Sequence, residues 1–115
     1  MSQRIWLVLG LGALLAQCWM LYTPGSPEPM VPIPHIDKLV HFVIFAVPAF
    51  FFVRAGARWW LVAVLALLQS LLSEFVQERF LAYRGADPFD VAFDLLGTAL
   101  GIWLGQRAGL VSGRA

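Results

Sequence analysis

Apolar positions fall into four runs separated by short polar breaks. Ile5 to Tyr22 is uncharged over 18 residues. A second run extends from Leu39 to Val53. A third begins at Trp59 and reaches Leu72, with Gln69 and Ser70 the polar positions within it. The fourth, Val91 to Leu104, is interrupted by Asp94. A helix needs about 20 apolar residues to cross a bilayer, with a range of about 17–25. The last three runs reach that length only if their polar ends are helical too. The pattern predicts an all-α bundle of four transmembrane helices, at about 5–22, 37–53, 59–80 and 88–106, in one domain spanning 1–115.

The breaks differ in kind. Residues 23–34 hold five of the seven prolines. Proline lacks an N–H and disfavours helix in the residue before it, so this stretch is an extended loop. Arg54 to Arg58 is a tight basic turn, and residues 84–87 precede the fourth run. Arg4 and the first run have the order of a signal peptide, but the run is longer than an ordinary h-region. Gln17 stands where a lipobox before Cys18 has a small residue, so a retained helix is expected.

Composition agrees with a lipid solvent. The chain is 60% hydrophobic and 13% charged, whereas soluble domains carry roughly a quarter charged residues. So short a chain cannot hide this much apolar surface in an aqueous core. A net charge of +1 supplies no basic face for nucleic acid. One cysteine excludes an internal disulfide and a cysteine-rich zinc site.

Charge also orients the helices. Arg4, Arg54, Arg58, Arg107 and Arg114 lie at one end of a four-span arrangement; Lys38, Arg79, Arg84 and all seven acids lie at the other. Lysine and arginine concentrate in cytoplasmic loops. Both termini are therefore expected in the cytoplasm, with the proline-rich loop outside, in a multi-pass protein of the cell membrane.

The acidic end carries the candidate chemistry. Asp37, Lys38 and His41 open the second segment, Glu74 and Gln77 close the third, and Asp90 and Asp94 open the fourth. Asp37/His41 and Asp90/Asp94 are four apart, and Glu74/Gln77 three apart, so each pair shares a helix face. Bland explanations cover part of this. Asp87 before Pro88 reads as an N-cap, Asp90 falls at N3, and Asp37 is a candidate cap. His41 alone reads first as a packed, hydrogen-bonded histidine. Asp94 lies two turns into an apolar helix, beyond the reach of capping, and Glu74 follows a long apolar run. Ionisable groups at this depth normally face a bundle interior or water. The expectation is one outward-facing polar cluster of Asp37, Lys38, His41, Glu74, Gln77, Arg84, Asp87, Asp90 and Asp94. His41, Glu74 and Asp94 are its catalytic candidates, and Arg84 is a candidate clamp for a carboxylate.

Gly97, Gly101, Gly105 and Gly109 repeat every four residues. Such a row lets another helix approach closely, either within the bundle or across a homodimer seam. Pro48 removes the helical bond to Ile44 and predicts a kink. No metal motif, P-loop, dinucleotide fingerprint or Ser-His-Asp order occurs, so neither a metal nor another cofactor is expected.

Asp37-Lys38-x-x-His41-Phe42, Ser70-x-x-x-Glu74-x-x-Gln77, Arg84-x-x-Asp87-x-x-Asp90 and Gly97-x-x-x-Gly101, in that order, resemble the VanZ-like membrane proteins. The resemblance spans about residues 35–105. Its pattern usually has Asn four residues after the aspartate at position 90; Asp94 adds a carboxylate there. The founding member is associated with teicoplanin resistance, so the resemblance implies a cell-envelope role. Three functions compete. The first is a non-enzymatic envelope protein that modulates glycopeptide susceptibility or handles lipid-linked envelope precursors. The second is a membrane enzyme acting on a lipid headgroup. The third is a structural subunit of a membrane complex.

Overall fold

The computed structural model describes residues 2–28 and 33–111. They form four helices: α1 (Gln3–Tyr22), α2 (Ile36–Arg54), α3 (Trp59–Phe80) and α4 (Pro88–Val111). At about 1.5 Å per residue, 19 to 24 residues span about 28–36 Å, comparable with the hydrocarbon core of a bilayer. All four are long and apolar enough to cross a membrane.

Local sequence sets the boundaries. Ser2 caps α1 by accepting from the Ile5 N–H. After α2, the Gly56 N–H donates to the Val53 carbonyl and the Ala57 N–H to the Phe52 carbonyl, both at 3.0 Å. This is a Schellman closure, and it needs the left-handed backbone that Gly56 supplies at φ 101°. Asp87 caps α4: its Oδ1 accepts from the Phe89 N–H at 2.9 Å, with Pro88 in the first helical position. Asp37 caps nothing; it lies in the first turn of α2, where His35 is the boundary residue at φ 63°.

The fourth helix runs to Val111, past the expected end at 106. Arg107 lies within it, its guanidinium over the Trp103 ring one turn back, 5.2 Å from the centroid. Arg114 and residues 29–32 of the proline-rich loop lie outside the described residues. Within that loop, residues 23–28 are non-helical, as proline requires.

The helices alternate in direction. Gly25 donates to the Ala82 carbonyl at 2.9 Å, tying the α1–α2 and α3–α4 loops together at the acidic end. At the basic end Gly56 abuts the Gln3 side chain. The closest pairing is α2 on α4, with α1 against α2 and α3 against α4. The glycine row explains it. A Cβ on Gly97 would collide with the Phe42 carbonyl, one on Gly101 with the Ala46 carbonyl, and one on Gly105 would stand 2.9 Å from the Val53 side chain. The row is thus filled by α2 of the same chain.

The bundle is inverted relative to a soluble one. The buried residues of α3 are Ser70, Ser73, Glu74 and Gln77, whereas Leu65, Leu68, Leu72 and Phe75 point outward. An apolar exterior around a polar interior suits lipid as the solvent.

Candidate functional site

The site is built where α2, α3 and α4 meet at the acidic end. Asp94 has no solvent exposure. Its Oδ2 accepts from the Ser70 hydroxyl at 2.7 Å, and its Oδ1 lies 2.7 Å from His41 Nδ1. A carboxylate can only accept, so Nδ1 carries the proton. That leaves Nε2 of His41 facing Asp90 Oδ2 at 3.5 Å. Asp90, in the first turn of α4 as expected, is also buried against α2. Its Oδ1 stands 2.7 Å from Lys38 Nζ, compensated by charge rather than by a well-directed hydrogen bond.

Lys38 gathers three carboxylates. Besides Asp90 it meets Asp37 Oδ2 at 2.6 Å and Asp87 Oδ2 at 2.7 Å. Asp87 lies in the loop outside the spans. Its carboxyl is held below the ordinary carboxylate range, first by the Lys38 ammonium and then by the Phe89 N–H. The acids at the end of α3 bind the same loop: Glu74 Oε2 accepts from the Asp87 N–H, and Glu78 Oε2 from the Ala86 N–H, each at 2.7 Å. Glu74 Oε1 is buried and has no hydrogen-bond partner among the described residues.

Two expected members serve α1. Gln77 Nε2 donates to the Leu21 carbonyl at 2.9 Å, and Arg84 Nη2 to the Met20 carbonyl at 3.2 Å. Both are terminal carbonyls that a helix leaves unpaired. Arg84 is therefore placed on backbone rather than clamping a carboxylate, although it reaches the same hollow as His41 and Asp90. That hollow, about 390 Å³, has polar walls from His41, Gln77, Arg84 and Asp90 and an apolar floor that includes Val40 and Ile44. Farther along the same helices, an apolar crevice of about 300 Å³ is lined by Leu14, Phe45, Pro48, Leu61 and Leu65 among others. His35 belongs to neither; it borders a separate hollow with Leu39, Phe89 and Phe93.

A family model described as VanZ/LLP1 matches residues 4–108. The chain belongs to the VanZ/LLP1 family. The match covers α1 through most of α4, and with four helices of spanning length the VanZ/LLP1 chain is a multi-pass membrane protein. It is 37% identical over 82 residues to an uncharacterised protein of the fission yeast Schizosaccharomyces pombe, covering 66% of this chain and 50% of the yeast protein. The VanZ/LLP1 chain thus spans about half the length of that relative. No solved structure matches it.

Two buried residues carry more of this VanZ/LLP1 site than their sequence suggests. Ser70 enters the sequence reading only as a letter in a spacing, yet it is the hydroxyl partner of Asp94. Gln17 belongs to an apolar run, yet its Nε2 donates to the Ile44 carbonyl at 2.9 Å, the carbonyl that Pro48 cannot serve. A signal for Ser70 was available: positions 70, 73, 74 and 77 follow the i, i+3, i+4, i+7 spacing of one helix face.

Proposed function

We propose that the hollow beside His41 receives the polar headgroup of a membrane lipid or a lipid-linked envelope precursor, held by a non-enzymatic envelope protein of the bacterial cytoplasmic membrane. The observation that carries this reading is the order of two hollows along α1, α2 and α3, one with mixed polar and apolar walls and one almost wholly apolar. The upper one offers His41, Asp90 and Arg84; the lower one offers Leu14, Phe45 and Leu65. A molecule with a hydrogen-bonding head and a hydrocarbon tail matches that order. Altered glycopeptide susceptibility is the cellular consequence this reading carries, because glycopeptides bind lipid-linked wall material.

Photo-crosslinking tests it. A benzophenone amino acid at Val40, which borders the polar hollow, is compared with one at Leu71, which faces outward. Position 40 is expected to capture one lipid class enriched at least several-fold over the bulk membrane, and position 71 to sample the bulk. Identical lipid profiles at both positions would remove the reading.

A further inference from the structure

The geometry points to a first-row divalent metal ion, zinc foremost, bound by His41 Nε2, Glu74 and Asp90 Oδ2. The proposal stands whichever molecule enters the adjacent hollow. One ligand atom from each of these residues lies within 4.8 Å of those from the other two, and all three residues are buried. Ligands about 2.0–2.2 Å from a tetrahedral ion stand roughly 3.3–3.6 Å apart. His41 Nε2 and Asp90 Oδ2 already stand 3.5 Å apart.

An outer layer fixes every ligand from behind. Asp94 accepts a hydrogen bond from the Nδ1–H of His41, which leaves the Nε2 lone pair for a metal, and the Ser70 hydroxyl in turn donates to Asp94. A histidine backed by a carboxylate is the usual support of a metal-bound imidazole. The Asp87 N–H holds Glu74 Oε2, and Lys38 sits on Asp90 Oδ1. Glu74 itself is only 7% exposed, and its Oε1 has no hydrogen-bond partner among the described residues. A buried carboxylate oxygen without a donor is unfavourable in a low-dielectric interior; a cation there removes the cost.

Charge balance argues the same way. Lys38 is shared by Asp37, Asp87 and Asp90, Asp94 lies on His41, Glu74 meets only the Asp87 N–H, and Arg84 is turned to the Met20 carbonyl. One imidazole and two carboxylates suit zinc, manganese or ferrous iron better than calcium or magnesium, which take oxygen ligands. The 390 Å³ hollow on the His41 side leaves room for water or a ligand oxygen in the remaining coordination positions. A second group of acids, Asp37, Asp87 and Asp90, is close enough to hold an ion, but Lys38 already occupies it.

The full chain, purified in detergent and stripped with chelator, is titrated with zinc chloride. One equivalent is expected to bind. Glu74→Gln and His41→Gln are each expected to weaken binding at least a hundredfold. Asp94→Asn, which disturbs only the outer layer, should weaken it 10- to 100-fold, and Asp37→Asn should leave it unchanged. Cobalt(II) in the same site should show the intense visible absorption of a tetrahedral ion. A readout that needs no variant is modification of the wild type by diethyl pyrocarbonate: zinc should slow carbethoxylation of His41 and not of His35. Absence of stoichiometric binding, binding lost with Asp37→Asn but kept with Glu74→Gln, or a rate of His41 carbethoxylation that zinc leaves unchanged would each overturn the site.

Discussion

Asp94 is fully enclosed, and both of its oxygens are taken by side chains from other helices: Ser70 of α3 and His41 of α2. Removing one partner of such a buried group costs about 1–3 kcal/mol, more when a charge is left. Ser70→Ala is therefore expected to lower the unfolding midpoint in detergent modestly. Asp94→Leu, which strands both His41 and Ser70, should lower it far more. Asp94→Asn keeps the volume, can accept from Ser70 through its amide oxygen and can donate to His41 Nδ1, so it should fold close to the wild type. Equal midpoints for Ser70→Ala, Asp94→Leu and wild type would show that the trio does not bind the helices together. At this scale the sequence was partly legible. Asp94 stood out because no cap reaches two turns into a helix. Asp90 belongs to the expected cluster but stood out less, because its place at N3 offers a local reason as well; the approach of α2 gives it Lys38 and His41. Arg84 misled for a related reason: a guanidinium was expected to seek a carboxylate, and the free carbonyls ending α1 lay nearer.

Among elements, Pro48 and Gln17 form a compensation across two helices. Pro48 has no N–H to offer the Ile44 carbonyl, and Gln17 of α1 supplies the missing donor at 2.9 Å. Gln17 Oε1 then accepts from Gln69 Nε2 at 2.9 Å, and Gln69 Oε1 accepts from the Tyr22 hydroxyl at 2.8 Å, so α3 joins the same chain of bonds. Gln17→Leu should cost about 1–3 kcal/mol by stranding that carbonyl in lipid-like surroundings. Pro48→Ala restores the helical N–H, so in the Pro48→Ala background Gln17→Leu should cost much less. A double-mutant cycle read by detergent unfolding measures the coupling, expected to be about 1 kcal/mol or more; strictly additive effects would refute the pairing. The sequence disclosed Pro48 and the defect it makes, but not the repair, since nothing in a single glutamine says which helix it will meet. Gly97 and Gly101 were more readable, because a four-residue row of glycines in an apolar helix has few purposes other than close approach. Whether α2 or a second copy would fill it needed the fold, and α2 fills it.

Over the whole molecule, the two ends differ in a way that bears on orientation. Four of the five tryptophans, Trp6, Trp59, Trp60 and Trp103, lie toward the end that carries Arg4, Arg54, Arg58 and Arg107, with Trp19 at the other. Arg54 lies over Trp6 and Arg107 over Trp103, each 5.2 Å from the ring centroid. Tryptophan prefers the headgroup level, and arginine resists translocation. The opposite end is acidic, with its one lysine enclosed by Asp37, Asp87 and Asp90, where its charge is largely offset. Locally neutralised, Lys38 opposes export less than a free lysine would, so the effective bias exceeds the bare count of basic residues. The basic end is therefore expected to face the cytoplasm and the His41 hollow the outside. The check is cysteine labelling of intact cells with a membrane-impermeant maleimide, in a Cys18→Ser background. Ser26→Cys, in the loop at the acidic end, should react before lysis. Ala55→Cys, in the turn at the basic end, should react only after it. The reverse pattern would place the hollow on the cytoplasmic face, and a role in handling outer-leaflet envelope material would fall with it, while the helix packing and the His41–Asp94–Ser70 contacts would stand unchanged.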